Sequence, residues 1–142
     1  MLRFFRRSRP PRFDLARIGD AWDRHPLVHD GVAGSLDIRR LPAPPRQRDF
    51  RALAMAWVDK AALGEDIDAL SQRLQQALEG ESLALLVLRH DTPTRMSWYA
   101  YAGVDRSLDA ALGGLGCERL HWGINDDPDW HEYAHARGLV GA

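Results

Sequence analysis

The hydrophobic positions of this 142-residue chain fall into alternating and helical periods from about residue 35 onward and only weakly before it. Between Ser35 and Leu41, the apolar members Leu36, Ile38 and Leu41 stand among polar neighbours in the near-alternation of a strand. Pro42, Pro44 and Pro45 then end it, because proline donates no ladder hydrogen bond. From Phe50 to Val58 the alternation is stricter, with Leu53, Met55 and Trp57 on one side and Ala52, Ala54, Ala56 and Val58 on the other. Apolar residues on both sides predict a strand buried on one face at least, and on both if the second is covered.

The period then changes. Ile67, Leu70, Leu74, Ala77 and Leu78 recur at spacings of three and four between Glu65 and Glu79, with acids at the start and Gly80 past the end, which predicts an amphipathic helix. Leu83 to Leu88 is an unbroken apolar run. It is followed by the turn residues Asp91, Thr92 and Pro93, and then by Met96, Trp98 and Ala100 alternating with Ser97, Tyr99 and Tyr101, the pattern of two adjacent antiparallel strands. A second helix is predicted over Asp105 to Leu112, with Val104, Leu108, Ala111, Leu112 and Leu115 inward and Gly113 and Gly114 closing it. Leu120, Trp122 and Ile124 mark a last strand. A closing helix is predicted to begin near Pro128, capped by Asp126 or Asp127, with Trp130, Tyr133 and Ala134 as its packing edge and Gly138 as its stop. Residues 13–33 show no clean period: Phe13, Leu15 and Ile18 suit one helical turn, and Asp30-Gly31 a chain reversal.

Strand, helix, strand, strand, helix, strand predicts an α+β protein with a ferredoxin-like βαββαβ core, an extra N-terminal edge strand at Ser35–Leu41 and a C-terminal helix. Both crossover helices then share one face of the sheet, and the other face is left to water or to a partner. The expected organisation is a flexible Arg-rich tail over residues 1–12 and a single α+β domain over 13–142.

Composition adds limits. At 45% hydrophobic and 27% charged residues the chain is neither disordered nor fibrous, and its length suits one domain without disulfides. Cys117 is the only cysteine, so no intramolecular disulfide or thiolate metal cluster can form, and a reducing compartment is expected. No apolar run approaches the roughly 20 residues of a membrane span, and the Arg-rich start lacks the apolar stretch of a secretory signal; a cytoplasmic location is expected. Lys60 is the only lysine among 19 basic residues, an imbalance that GC-rich coding explains more simply than guanidinium chemistry. Residues 1–12 hold Arg3, Arg6, Arg7, Arg9 and Arg12 and no acid, so the formal charge of −1 conceals −6 on the remainder. Those arginines, interleaved with Phe4 and Phe5, are the candidate surface for nucleic acid or another anionic partner, against the simpler reading of a solvated terminus.

The one motif that suggests catalysis is His131-Glu132-Tyr133-Ala134-His135. It has the H-E-x-x-H spacing that sets two histidines on one helical face for zinc and a glutamate beside them as general base. Ala136 to Ala142 contain no third ligand, and Gly141 stands where extended signatures carry one. His25, His29, His90 and His121 remain as distant donors, none selected by spacing. The pair therefore reads first as a polar helix face and second as a metal site, and no cofactor is called for. Gly113, Gly114 and Gly116 follow a helix and lack the Lys-Ser/Thr of a phosphate loop, and Cys117 has no activating base nearby in sequence. Trp98, Tyr99 and Tyr101 share a strand as in RNA-binding sheets, but the pattern turns Trp98 inward and the body is acidic.

Three patches, WVDKAALG from Trp57 to Gly64, RMSWYAY from Arg95 to Tyr101, and DPDWHEY from Asp127 to Tyr133, resemble the uncharacterised bacterial family catalogued as domain of unknown function 695. The likeness spans about residues 20 to 137 and omits the Arg-rich tail. The matched positions are Trp57, Trp98, Tyr99, Tyr101, Asp127, Pro128, Trp130 and Tyr133, so the ending is accounted for without either histidine. That family is similar in its ferredoxin-like topology to bacterial proteins of the B type that bind and inhibit ribonuclease E. The resemblance implies a non-enzymatic, regulatory role with another protein as partner, and it carries over no catalytic residue.

Overall fold

The strict alternation of residues 52–58 and the apolar run at 83–88 become inner strands of one sheet. A computed structural model describes residues 9–141. Among them the elements run α1 (Leu15–Ile18), β1 (Trp22–His29), β2 (Val32–Arg39), β3 (Ala52–Asp59), α2 (Ile67–Glu79), β4 (Ala84–Asp91), β5 (Arg95–Ala102), α3 (Asp105–Gly113), β6 (His121–Asp126) and α4 (His131–Leu139). The protein is thus α+β, with a six-stranded sheet in the order β1-β2-β4-β5-β3-β6, every pairing antiparallel. No helix among these residues is long and apolar enough to cross a membrane.

The first face is the one the periodicity describes. Ala52, Ala54, Ala56 and Val58 of β3 and Met96, Trp98 and Ala100 of β5 meet Leu70, Leu74 and Leu78 of α2 and Leu108 and Leu112 of α3. The row of alanines on β3 leaves room for α3, α2 lies over β4, and Asp66 caps α2 by accepting from the Asp68 N–H. The single large polar-edged side chain inside, Trp98, donates its indole N–H to Ser71 Oγ at 3.0 Å.

The N-terminal third departs from expectation in two respects. β1 has no counterpart in the sequence reading because Pro26 and the charged residues of WDRHPLVH hide any period, and its side chains are at most half-buried. It exists as one arm of a hairpin with β2, joined by Asp30 and Gly31 at φ 50° and 78°, the left-handed pair of a two-residue hairpin turn. Proline is tolerated there because β1 is an outer strand. As a result, the segment read as an edge strand at Ser35–Leu41 is β2, ending at Arg39 and lying between β1 and β4.

Nor is the second face wholly open. Phe13, Ile18, Leu36, Ile38, Phe50, Leu53, Leu85, Val87, Leu88 and Tyr101 form a second core that α4 closes with Trp130, Tyr133 and Ala136. Phe13 stacks on Phe50 at 3.7 Å between ring centroids, and its N–H donates to the Ser82 carbonyl, fixing the N-terminal segment to the body. α4 itself differs in detail from its expected form. It begins at His131, with Pro128 in the preceding turn, and it runs through Gly138 to Leu139. Because Trp130 lies outside the helix in a left-handed conformation, the spacing counted from it does not hold: Ala136 packs inward and Ala134 is exposed.

A bulge in β4 decides what the cleft beside α4 contains. The β4–β5 register slips between Leu86 and Leu88, so Val87 and Leu88 both face the second core. Beyond the slip the alternation is reversed. Arg89 turns to the first face, where its guanidinium lies 3.9 Å from the Trp22 ring centroid, and His90 turns to the second.

Candidate functional site

The site on the second face is held in place by the loop Asp127-Pro128-Asp129-Trp130. The Asp127 carboxylate accepts from the N–H groups of His131 (2.8 Å) and Glu132 (3.1 Å), which α4 would otherwise leave unpaired, and from the Tyr101 hydroxyl at 2.7 Å. Burial pushes Asp127 up, but these hydrogen bonds, Tyr101 first, outweigh it and hold the carboxylate below its usual range. Burial, reinforced by the Asp127 carboxylate, raises Tyr101. The pair is therefore fixed as carboxylate and phenol, an arrangement that anchors and does not exchange protons near neutrality.

Trp130 fills the space that this anchor leaves. Fully buried, it stacks on Tyr101 at 4.1 Å with 5° between planes, meets Tyr133 edge-on at 6.1 Å and donates its indole N–H to the Phe50 carbonyl at 2.8 Å. Its backbone stands at φ 52°, ψ 44°, a strained setting for an L residue that these contacts hold in place. The Tyr133 hydroxyl donates to the Arg39 carbonyl at 2.7 Å. Of the aromatic and acidic positions singled out in the sequence, Tyr101, Asp127, Trp130 and Tyr133 thus form one cluster, Pro128 shapes its loop, and Trp98 lies on the opposite face.

Beside α4 runs a cleft of about 280 Å³ bounded by β1, β2, β4, β5 and the helix. Glu132 and His135 line it together with His29, His90 and Tyr99. The His90 Nε2 atom is buried and has no hydrogen-bond partner among the described residues, and burial, helped by nearby His29, lowers its proton affinity. Burial also raises Tyr99, with Glu132 adding to the effect.

The H-E-x-x-H residues are divided by this geometry. His131 and His135 are exposed with ring centroids 6.4 Å apart and nearly parallel, but His131 is not among the cleft's lining residues. Among the described residues no three His, Cys, Asp or Glu side chains are grouped to hold a metal ion. Of the basic candidates, Arg3, Arg6 and Arg7 lie outside the described residues, while Arg9 and Arg12 are exposed. Arg12 lines a groove with Arg17 and Arg46 where the N-terminal segment meets the proline-rich loop.

Next to the cleft the sheet is bare. Met55, Trp57, Ser97 and Tyr99 surround a hollow of about 200 Å³ that Arg95 also lines. The Trp57 ring stacks on His121 at 5.5 Å, and the Arg95 guanidinium lies 5.8 Å from its centroid. Alternation places Trp57 and Tyr99 on this face. The contributions of Arg95, His121 and His90 depend on strand register and on the bulge, neither of which the periodicity records. Neither a family model, a characterised protein nor a solved structure matches the chain.

Proposed function

We propose that this chain is a non-enzymatic protein-interaction or regulatory module of a bacterial cytoplasm, built on a ferredoxin-like core to which the β1–β2 hairpin and α4 are added. The strand order supports the core: without the hairpin, β4-β5-β3-β6 is the second, third, first and fourth strand of a βαββαβ unit. The resemblance of residues 57–64, 95–101 and 127–133 to the uncharacterised family supports the regulatory reading.

The observation that carries the proposal is the half-covered second face. α4 seals one part of it, and the adjoining strip keeps Met55, Trp57 and Tyr99 only partly buried with Arg95 at its rim. An aromatic and methionine centre beside an arginine is the composition of protein docking surfaces.

The test is affinity capture from an extract of the source organism with wild type, Trp57→Ala and a Gln76→Ala control on the exposed side of α2. A partner retained by wild type and the control and lost with Trp57→Ala is the expected result, with all three folding alike. Recovery of no partner, alongside tight binding of a small molecule, would replace this reading.

A further inference from the structure

The two outer strands of the sheet are protected very differently. β1 carries Pro26 at its middle and ends beside a tight hairpin turn. β6 contains no proline, lysine or arginine, keeps an unbroken six-residue register with β3, and among the described residues has no strand on its other side. An undefended edge of this kind is a template for another strand.

Gly123, at the centre of β6, adds a second observation. It has no positive φ, and a Cβ built there would meet no atom within 4 Å, so neither backbone conformation nor crowding inside the chain calls for glycine. A glycine inside a strand weakens it, and with the β3–β6 register unbroken there is no bulge to account for this one; close approach of another backbone is a physical reason that remains.

We propose that β6 is a self-association edge, on which the β6 strand of a second copy pairs antiparallel about a two-fold axis at Gly123. This goes beyond the partner-binding reading and does not depend on it. Residues opposite one another in a sheet share a face, which restricts the possible registers to those that keep the faces aligned. In the register centred on Gly123, Trp122 meets Ile124 of the other copy twice, continuing the first-face core against which both already pack. His121 meets Asn125, and Gly123 meets itself. Other symmetric registers either oppose Trp122 to Asp126 or shorten the overlap.

The charges at the strand ends do not choose the register: exposed Glu118 stands beside Arg119 before β6, and Asp126 and Asp129 at and beyond its end are paired within the chain with Arg51 and Arg48. The apolar match of Trp122 with Ile124 is what selects a second copy. One strand pair covers less than the roughly 800 Å² per partner of a standard interface, so the association is weak and concentration-dependent. Its consequence would be to join the two bare strips beside Trp57 and His121 across the axis.

Sedimentation of wild type, Gly123→Lys, Gly123→Glu and an equal mixture of the two variants tests this. The open space at Gly123 accommodates either side chain in the monomer. Wild type should show a monomer–dimer equilibrium, and each variant should weaken it about two- to fivefold, because like charges then stand directly opposite. The mixture should restore it. Monomeric wild type at every concentration, a dimer indifferent to both substitutions, or loss in both variants without recovery in the mixture would each overturn the proposal. Hydrogen exchange on wild type needs no variant: β6 amides should slow as concentration rises, and exchange independent of concentration overturns the idea as well.

Discussion

The two faces of the sheet are closed by different physics. On the first, α2 and α3 press rows of leucine onto alanines and Trp98, a broad aliphatic contact whose strength is spread over many side chains. On the second, α4 is short and presents only Tyr133 and Ala136 from its own length, so closure depends on one aromatic plug and one carboxylate, Trp130 and Asp127. A face sealed at few points has room for a bare strip alongside it, whereas one covered by two helices has none. The difference shows that a candidate interaction surface arises here where the cover is narrow and polar-anchored.

The sharpest way to break that comparison is Trp130→Ala. Removing a fully buried indole with its stacking and its hydrogen bond should cost about 3–5 kcal/mol in denaturant unfolding. It should also release α4, seen as fast amide exchange in residues 131–139, while α2 stays protected. Loss of protection in both helices at once would show that the two faces are a single cooperative layer.

Asp127→Asn is the intermediate case, expected to cost about 1–2 kcal/mol near neutral pH by weakening the cap of α4 and the bond from Tyr101. The carboxylate is held below its ordinary 3.8, so its contribution is present above that value and is lost as pH falls through the lowered one. The gap between wild type and variant should therefore narrow as unfolding is followed from pH 7 into acid. A gap unchanged in acid would mean that the charge of Asp127 contributes nothing.

The smallest effect is expected at Ala134. Because it is exposed and Ala136 buried, Ala134→Lys should change stability by no more than about 0.5 kcal/mol, whereas Ala136→Lys should cost about 2–4 kcal/mol. Thermal melts of the pair distinguish the helix phase set by the left-handed Trp130 from the phase that an unbroken spacing would predict.

Much of the molecule was legible in advance where a single element both carries and satisfies its own pattern. The alternation of Ala52 to Val58 and the spacing of Leu70, Leu74 and Leu78 are local records of burial, and α2, α3, β3, β4, β5 and β6 follow them closely. The candidate site was legible only in part. Asp127 reads as a cap and Trp130 and Tyr133 as packing residues, but His90 reaches the cleft because of a bulge, and His135 reaches it without His131 because of where the helix begins.

By itself, then, the sequence determined the α+β class, most elements after residue 35 and the aliphatic core of the first face, since periods of 2 and 3.6 arise from one strand or helix meeting one apolar layer. Tertiary structure alone decided the rest. β1 becomes a strand because β2 supplies its partner, despite Pro26. Arg39 becomes a buried residue because Glu79 and the carbonyls of Gly19 and Leu86 converge on its guanidinium from three separate segments. Trp130 holds a left-handed backbone because Tyr101 and Phe50 wait on the other side of the chain. Each of these depends on groups distant in sequence that satisfy a local cost, and a local pattern cannot encode such partners.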